Sequence, residues 1–242
     1  MLRYFAIIIF SIFIIQGIDA QEFLNPSANK VDINGNRQGY WKLYDGNGNL
    51  KFEGNFKDNI PYGEFKYYYP DGKIKAISFI YNNGKESSTK TYHKNEKLMA
   101  EGKYLNAKKD SIWRYYSKYD GILLSEEFYD LNIKTGVWKI FYSDGNVAEQ
   151  VTWKGDVKEG PWMQYFPNGK CKLKAKYIKD KLEGLMTIYY PDGTVNISGT
   201  YHNSMKHGIW MYFTDMSETQ KKEVYKNGLL VSKEIYIEPE DK

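Results

Sequence analysis

Three histidines, His93, His202 and His207, are the side chains in this 242-residue sequence best suited to hold a metal. A zinc site needs three or four converging ligands. His202 and His207 stand five apart in a turn-like stretch with no cysteine or carboxylate between them, and His93 lies far upstream. The expectation is that no metal is bound. Asp71, Asp144 and Asp192 each precede a glycine in "YPDG" or "YSDG". A ladder of such carboxylates would suit calcium, but aspartate also favours turns because its side chain bonds nearby backbone, and the turn reading is preferred. Paired carboxylates for glycoside hydrolysis need a defined separation in a cleft, and a repetitive sequence singles out no pair. No serine lies in a nucleophile-elbow motif, and no phosphate-cradling glycine loop opens a helix. Cys171 is the one cysteine, so no intrachain disulfide forms. Other segments put Leu50, Ile74, Leu98, Val147 and Val195 at its place, which reads it as a small apolar residue. The sequence thus assigns no catalytic, cofactor-binding or metal residue, and no enzyme activity.

What the sequence does contain is repetition. "GYWKLYDGNG" (39–48), "GEFKYYYPDG" (63–72), "GVWKIFYSDG" (136–145) and "GPWMQYFPNG" (160–169) share one pattern. Their opening residues belong to the series Gly39, Gly63, Ser87, Ser111, Gly136, Gly160, Gly184 and Gly208, spaced by 24 residues with a single 25. A fixed period in this range marks a repeat architecture. Counting the opening residue as place 0, place 2 holds Trp41, Phe65, Thr89, Trp113, Trp138, Trp162, Met186 and Trp210. Place 5 is aromatic in every copy: Tyr44, Tyr68, Tyr92, Tyr116, Phe141, Tyr165, Tyr189 and Phe213. Place 9 holds a turn glycine, as in Gly48, Gly72, Gly145, Gly169 and Gly193, and place 17 is aromatic or apolar, from Phe56 to Tyr225. The third copy is degenerate, with Thr89 in the ring column and no turn glycine, so Thr89 is expected to carry far less stability than Trp162.

Two strand-like runs per copy, at places 1–6 and 10–17, are rich in residues that favour pleated surfaces. Pro-Asp-Gly between them suits a type I turn closed by a left-handed glycine bulge. A second turn, such as "YNNGK" at 81–85, joins each copy to the next. The predicted fold is all-β: an elongated, open, single-layer antiparallel meander of about eight 24-residue hairpins, roughly sixteen strands. Residues 31–35 and 229–237 read as half-copies at the two ends. Alternation puts places 2 and 4 on one face and place 5 on the other. Either a bulge re-aims place 5 or both faces carry aromatic stripes. The rings read first as core, because large aromatics dominate packing; stacking of sugar rings or gripping of a peptide is the functional reading.

"GVWKIFYSDGNV" (136–147) and "GTYHNSMKHGIWMYF" (199–213) resemble the MORN-repeat variant (membrane occupation and recognition nexus) of bacterial proteins. The resemblance covers about residues 34–231. It implies an open sheet of hairpins. Some members are labelled antitoxin components of toxin–antitoxin systems, and related repeats serve as protein- or lipid-contacting scaffolds.

Residues 1–20 stand outside the repeats. "YFAIIIFSIFII" (4–15) follows Arg3, is too short to span a membrane comfortably and has the length of a signal-peptide core. Cleavage is expected between Ala20 and Gln21. The segments are then 1–20 signal peptide, 21–38 N-terminal segment and half-copy, 39–231 eight repeats and 232–242 final strand and charged tail. Net charge is +4 with lysines and acids interspersed. Nucleic-acid binders concentrate basic charge on one face, so nucleic acid is not expected, and the alternating lysines of "KCKLKAK" (170–176) read as a solvent face. The expected function is an exported, periplasmic or secreted, non-catalytic scaffold with a protein partner. An antitoxin- or immunity-like role, and binding of a glycan or a membrane surface through lipid headgroups, are the alternatives.

Overall fold

The computed structural model describes residues 28–237. Ala20 and Gln21, where cleavage is expected, lie outside them, as does the charged tail after residue 237. Two compact units divide the chain: the described parts of Met1–Thr89 with Tyr104–Lys108, and of Lys90–Lys103 with Lys109–Lys242. In the first, β1 (Lys30–Val31), β2 (Arg37–Tyr44), β3 (Leu50–Lys57), β4 (Ile60–Tyr68) and β5 (Ile74–Tyr81) each pair antiparallel with the next. β6 (Glu86–Tyr92), β7 (Leu98–Leu105) and β8 (Lys108–Tyr116) have residues in both units. In the second, β8 is followed by β9 (Leu123–Asp130), β10 (Ile133–Phe141), β11 (Val147–Lys154), β12 (Val157–Tyr165) and β13 (Cys171–Ile178). Then come β14 (Lys181–Leu182), β15 (Gly184–Tyr189), β16 (Val195–His202), β17 (Met205–Phe213), β18 (Thr219–Lys226) and β19 (Leu229–Ile235). Pairing is again antiparallel between neighbours from β8 to β19. No helix occurs among the described residues. Eight copies supply sixteen strands. β1 and β19 are the half-copies, and a break at Glu183 splits one strand into β14 and β15, giving nineteen.

The two turn classes differ as their residues require. Within a hairpin the Tyr69 N–H donates to the Lys73 carbonyl at 2.8 Å and the Gly72 N–H to the Tyr69 carbonyl at 2.9 Å. Gly72 has φ 82°, the left-handed bulge that the Pro-Asp-Gly pattern predicts. Asp144 and Asp192 each accept the N–H two residues on, at 2.9 and 2.8 Å, so they act as turn caps. Most turns between hairpins are two-residue type I′, with positive φ at both central residues, as at Asp58–Asn59 (51° and 66°) and Lys179–Asp180 (49° and 64°), while the longer loop from β5 to β6 has positive φ at Asn82, Asn83 and Gly84.

The parity question resolves toward two aromatic faces. Register shifts by one residue between places 4 and 5 of the first strand, as at Leu43/Tyr44 and Gln164/Tyr165, so place 4 opposes place 13 and place 5 opposes place 11. Paired residues share a face. Places 2, 4, 13, 15 and 17 therefore make one face and places 1, 3, 5, 14 and 16 the other.

Candidate interaction surface

The first face is packed. Phe65, Trp113 and Trp210 are 1–2 % exposed, and Thr89 and Met186 at the same place are also buried. Trp41, Trp138 and Trp162 are half-buried. Phe56, Phe65 and Ile80 form one core cluster; Leu173, Ala175, Met186 and Trp210 form another. The sequence reading missed what receives these rings. Each place-2 side chain lies over place 15 of the preceding copy. Where that residue is glycine, the ring occupies the volume of the missing side chain. A β-carbon built on Gly54 would lie 2.5 Å from the Phe65 ring, on Gly102 2.4 Å from Trp113, and on Gly199 2.1 Å from Trp210. The indole N–H of Trp113, Trp138 and Trp210 then donates to a backbone carbonyl ten residues upstream, at 3.0–3.2 Å. In the degenerate copy Ser78 replaces the glycine and Thr89 the ring. Both are buried, and their hydroxyls bond each other at 2.8 Å. Thr89 is thus buried and hydrogen-bonded, to Ser78 and at 3.4 Å to Ser87.

A second column also escaped the sequence reading. Two residues before the opening residue stand Arg37, Lys85, Lys109, Lys134, Lys158 and Lys206 in six copies, with Pro61 and Leu182 at that place in the other two; five of the cations make ring or turn contacts. These lie over the rings of this face: Arg37 at 3.9 Å from the Phe56 centroid, Lys134 at 4.5 Å from Trp153, Lys206 at 4.3 Å from Trp210. Burial pushes the Lys109 ammonium below its ordinary pKa, against the pull of Glu127. The backbone of this column is clamped by the type I′ turns: Asn59, Asn132, Asp156 and Asp180 accept the N–H of Arg37, Lys109, Lys134 and Lys158 at 2.6–2.9 Å.

The opposite face is more open. All eight place-5 aromatics are half-buried there. Tyr40 and Tyr68 donate to the Glu53 carboxylate at 2.5 and 2.6 Å, and Tyr116 donates to Glu101 at 2.7 Å. Burial opposes ionisation of Glu53, but these hydroxyls and Lys42 hold its carboxyl below the ordinary range. Place 3 pairs a cation with a place-14 carboxylate: Lys42 with Glu53 (3.6 Å), Lys90 with Glu101 (3.8 Å), Arg114 with Glu126 (2.7 Å). Place 1 exposes aliphatics in the second unit: Ile112 (39 %), Val137 (46 %), Leu185 (62 %) and Ile209 (54 %).

The histidines do not converge. His202 Nδ1 lies 2.9 Å from Glu183, with His207 beside it ring to ring, in one type I′ turn region. His93 borders a cleft of about 350 Å³ with Lys94, Asn95, Lys118 and Tyr119. At the same repeat place Tyr142 and Tyr190 reach the next copy's carbonyl at 2.7 and 2.8 Å. The shorter imidazole leaves Nε2 buried without a partner. No group of three metal-ligating side chains comes together among the described residues.

The family model of the MORN repeat variant matches residues 37–58, 61–83, 134–154, 158–179 and 182–203. These five segments are MORN repeat variants. The matched segments all begin two residues before an opening glycine, at Arg37, Pro61, Lys134, Lys158 and Leu182, and the unmatched stretch between 83 and 134 contains the Thr89 copy and most of the 25-residue copy. No curated protein matches the chain. Among solved structures, a chain in the crystal structure of TcdB2-TccC3-Cdc42 is similar at 10 % identity and a TM-score of 0.22. That match covers 80 % of this chain and 13 % of the other, a likeness too slight to bear on fold or function.

Proposed function

We propose that this MORN array is an exported, non-catalytic scaffold that binds another protein through the face bearing places 1, 3, 5, 14 and 16. The observation that supports this most is the exposed aliphatic column Ile112, Val137, Leu185 and Ile209. The opposite face buries or half-buries its rings and covers several of them with cations. This face leaves apolar side chains in water at a fixed repeat place, and contiguous exposed apolar surface marks interaction sites. Repeat arrays offer extended surfaces suited to such binding. Affinity capture from the native cell envelope tests the reading. The parent chain is expected to retain a defined protein, and Leu185→Asp with Ile209→Asp is expected to lose it with an unchanged melting temperature. Capture undiminished in that variant, or retention of glycans or liposomes in place of protein, overturns the proposal.

A further inference from the structure

Resting on the scaffold reading, we infer that the exposed lysines of β13 are a docking row for an acidic, extended protein segment with carboxylates on alternate residues. Along β13, Lys172, Lys174 and Lys176 are exposed, while Leu173 and Ala175 between them are buried in the aromatic core. Alternate residues of a strand repeat every ~6.7 Å, so the row has the charge spacing of a second extended chain.

The rest of the array supplies the control. In the first, third and fourth copies the carboxylate at place 14 neutralises a cation at place 3. The second, fifth and seventh copies carry no carboxylate at place 14, and the eighth carries Lys222, which pairs with Glu234; in the sixth copy place 14 is Lys174, whose cross-strand neighbours are Met163 on β12 and Thr187 on β15. Lys176 lies opposite Pro161. Among the described residues none of the three lysines forms an ion pair with a carboxylate. The acid felt by Lys176 is Glu183, whose oxygens are already taken by His202 and the Asn203 N–H. Like charges in a row repel, and among the described residues no carboxylate lies within ion-pair distance of any of the three.

The row is one strand wide; the cross-strand partners of Lys174 and Lys176, namely Met163, Thr187 and Pro161, are neutral, and Leu185 on β15 is exposed. A planar anionic surface would call for a basic plane, and single-stranded nucleic acid for stacking rings between the cations. Lysines with no arginine fork suit single carboxylates. An amphipathic acidic segment fits both the row and the adjacent aliphatics.

The test is fluorescence anisotropy of a labelled decapeptide of alternating glutamate and valine, titrated with the full chain. The variant K172Q/K174Q/K176Q is expected to bind at least about tenfold more weakly and to show a flatter salt dependence. A control with the same charge change, K51Q/K57Q/K85Q, is expected to match the parent, and circular dichroism melts are expected to coincide. Equal weakening in both variants, unchanged binding in the first, or stronger lysine-dependent binding of oligothymidine or anionic vesicles at equal charge overturns the inference. Peptide binding independent of these lysines, with a native partner still captured, removes the row and leaves the scaffold. Lysine-dependent peptide binding with no native partner captured removes the scaffold reading and leaves the row.

Discussion

At the scale of single residues, stability is concentrated where a ring meets a residue with no side chain. Gly102→Ala and Gly199→Ala would drive a β-carbon into the face of a buried indole and are expected to cost at least about 2 kcal/mol in urea denaturation. Gly46→Ala, with nothing within 4 Å and no unusual φ, is expected to leave the midpoint in place. The Ser78–Thr89 pair behaves differently. Thr89→Val strands the Ser78 hydroxyl in a buried site and is expected to cost about 1–3 kcal/mol, while Ser78→Ala/Thr89→Val together is expected to recover most of that. A double-mutant cycle that adds without coupling would mean the hydroxyls do not depend on each other. The ring column was legible in the sequence because tryptophan and phenylalanine recur at one place. Its glycine partners were not, because only Gly54, Gly102 and Gly199 fill that place and the other copies use Ser78, Glu127, Val151, Ala175 and Glu223.

At the scale of elements, the hairpins were legible down to the type of their internal turn, since Pro-Asp-Gly restricts φ so strongly. The connecting turns were harder to read. Their left-handed positions include Leu131 (φ 50°) and Lys179 (φ 49°), held there by the strand pairing on either side. Leu131→Asn is expected to raise stability by roughly 0.5–1 kcal/mol, because asparagine tolerates that conformation and leucine does not. Ser111 takes the positive φ (61°) that glycine takes at the start of other copies, so Ser111→Gly is expected to raise the melting temperature by a few degrees. On β18, burial opposes ionisation of Glu223, but hydrogen bonds from Tyr212, Lys221 and Tyr225 outweigh it and bring its pKa to about 2. A depressed carboxylate pKa stabilises the fold above the ordinary value of 4.5 and loses that contribution as pH falls toward 2. Glu223→Gln is expected to flatten the stability profile between pH 4.5 and 2, measured by denaturant titration at each pH.

At the scale of the whole molecule, fold class followed from the period together with the strand-like runs and turn signals inside each copy, whereas the binding surface did not. Which lysines lack partners depends on which residues share a face, and the one-residue register shift near each turn moves that assignment. The export proposal stands on the sequence of residues 1–20, and N-terminal sequencing of the processed protein is expected to begin at or near Gln21; an intact Met1 on cytosolic protein would reject it. The ring-over-glycine packing also bears on how such a chain could lengthen or shorten. A ring and the residue that receives it lie in successive copies, so the unit of duplication is not the copy seen in the sequence. Removing residues 184–207, one copy from glycine to glycine, discards Met186 and Gly199 and leaves Ala175 beneath Trp210. Removing residues 170–193, from one hairpin tip to the next, discards Ala175 together with Met186 and leaves Val151–Trp162 and Gly199–Trp210 intact. The second deletion is expected to fold with a cooperative melt near that of the parent and the first to melt far lower. Gains and losses of copies by recombination would accordingly be tolerated at hairpin tips and selected against at the opening glycines.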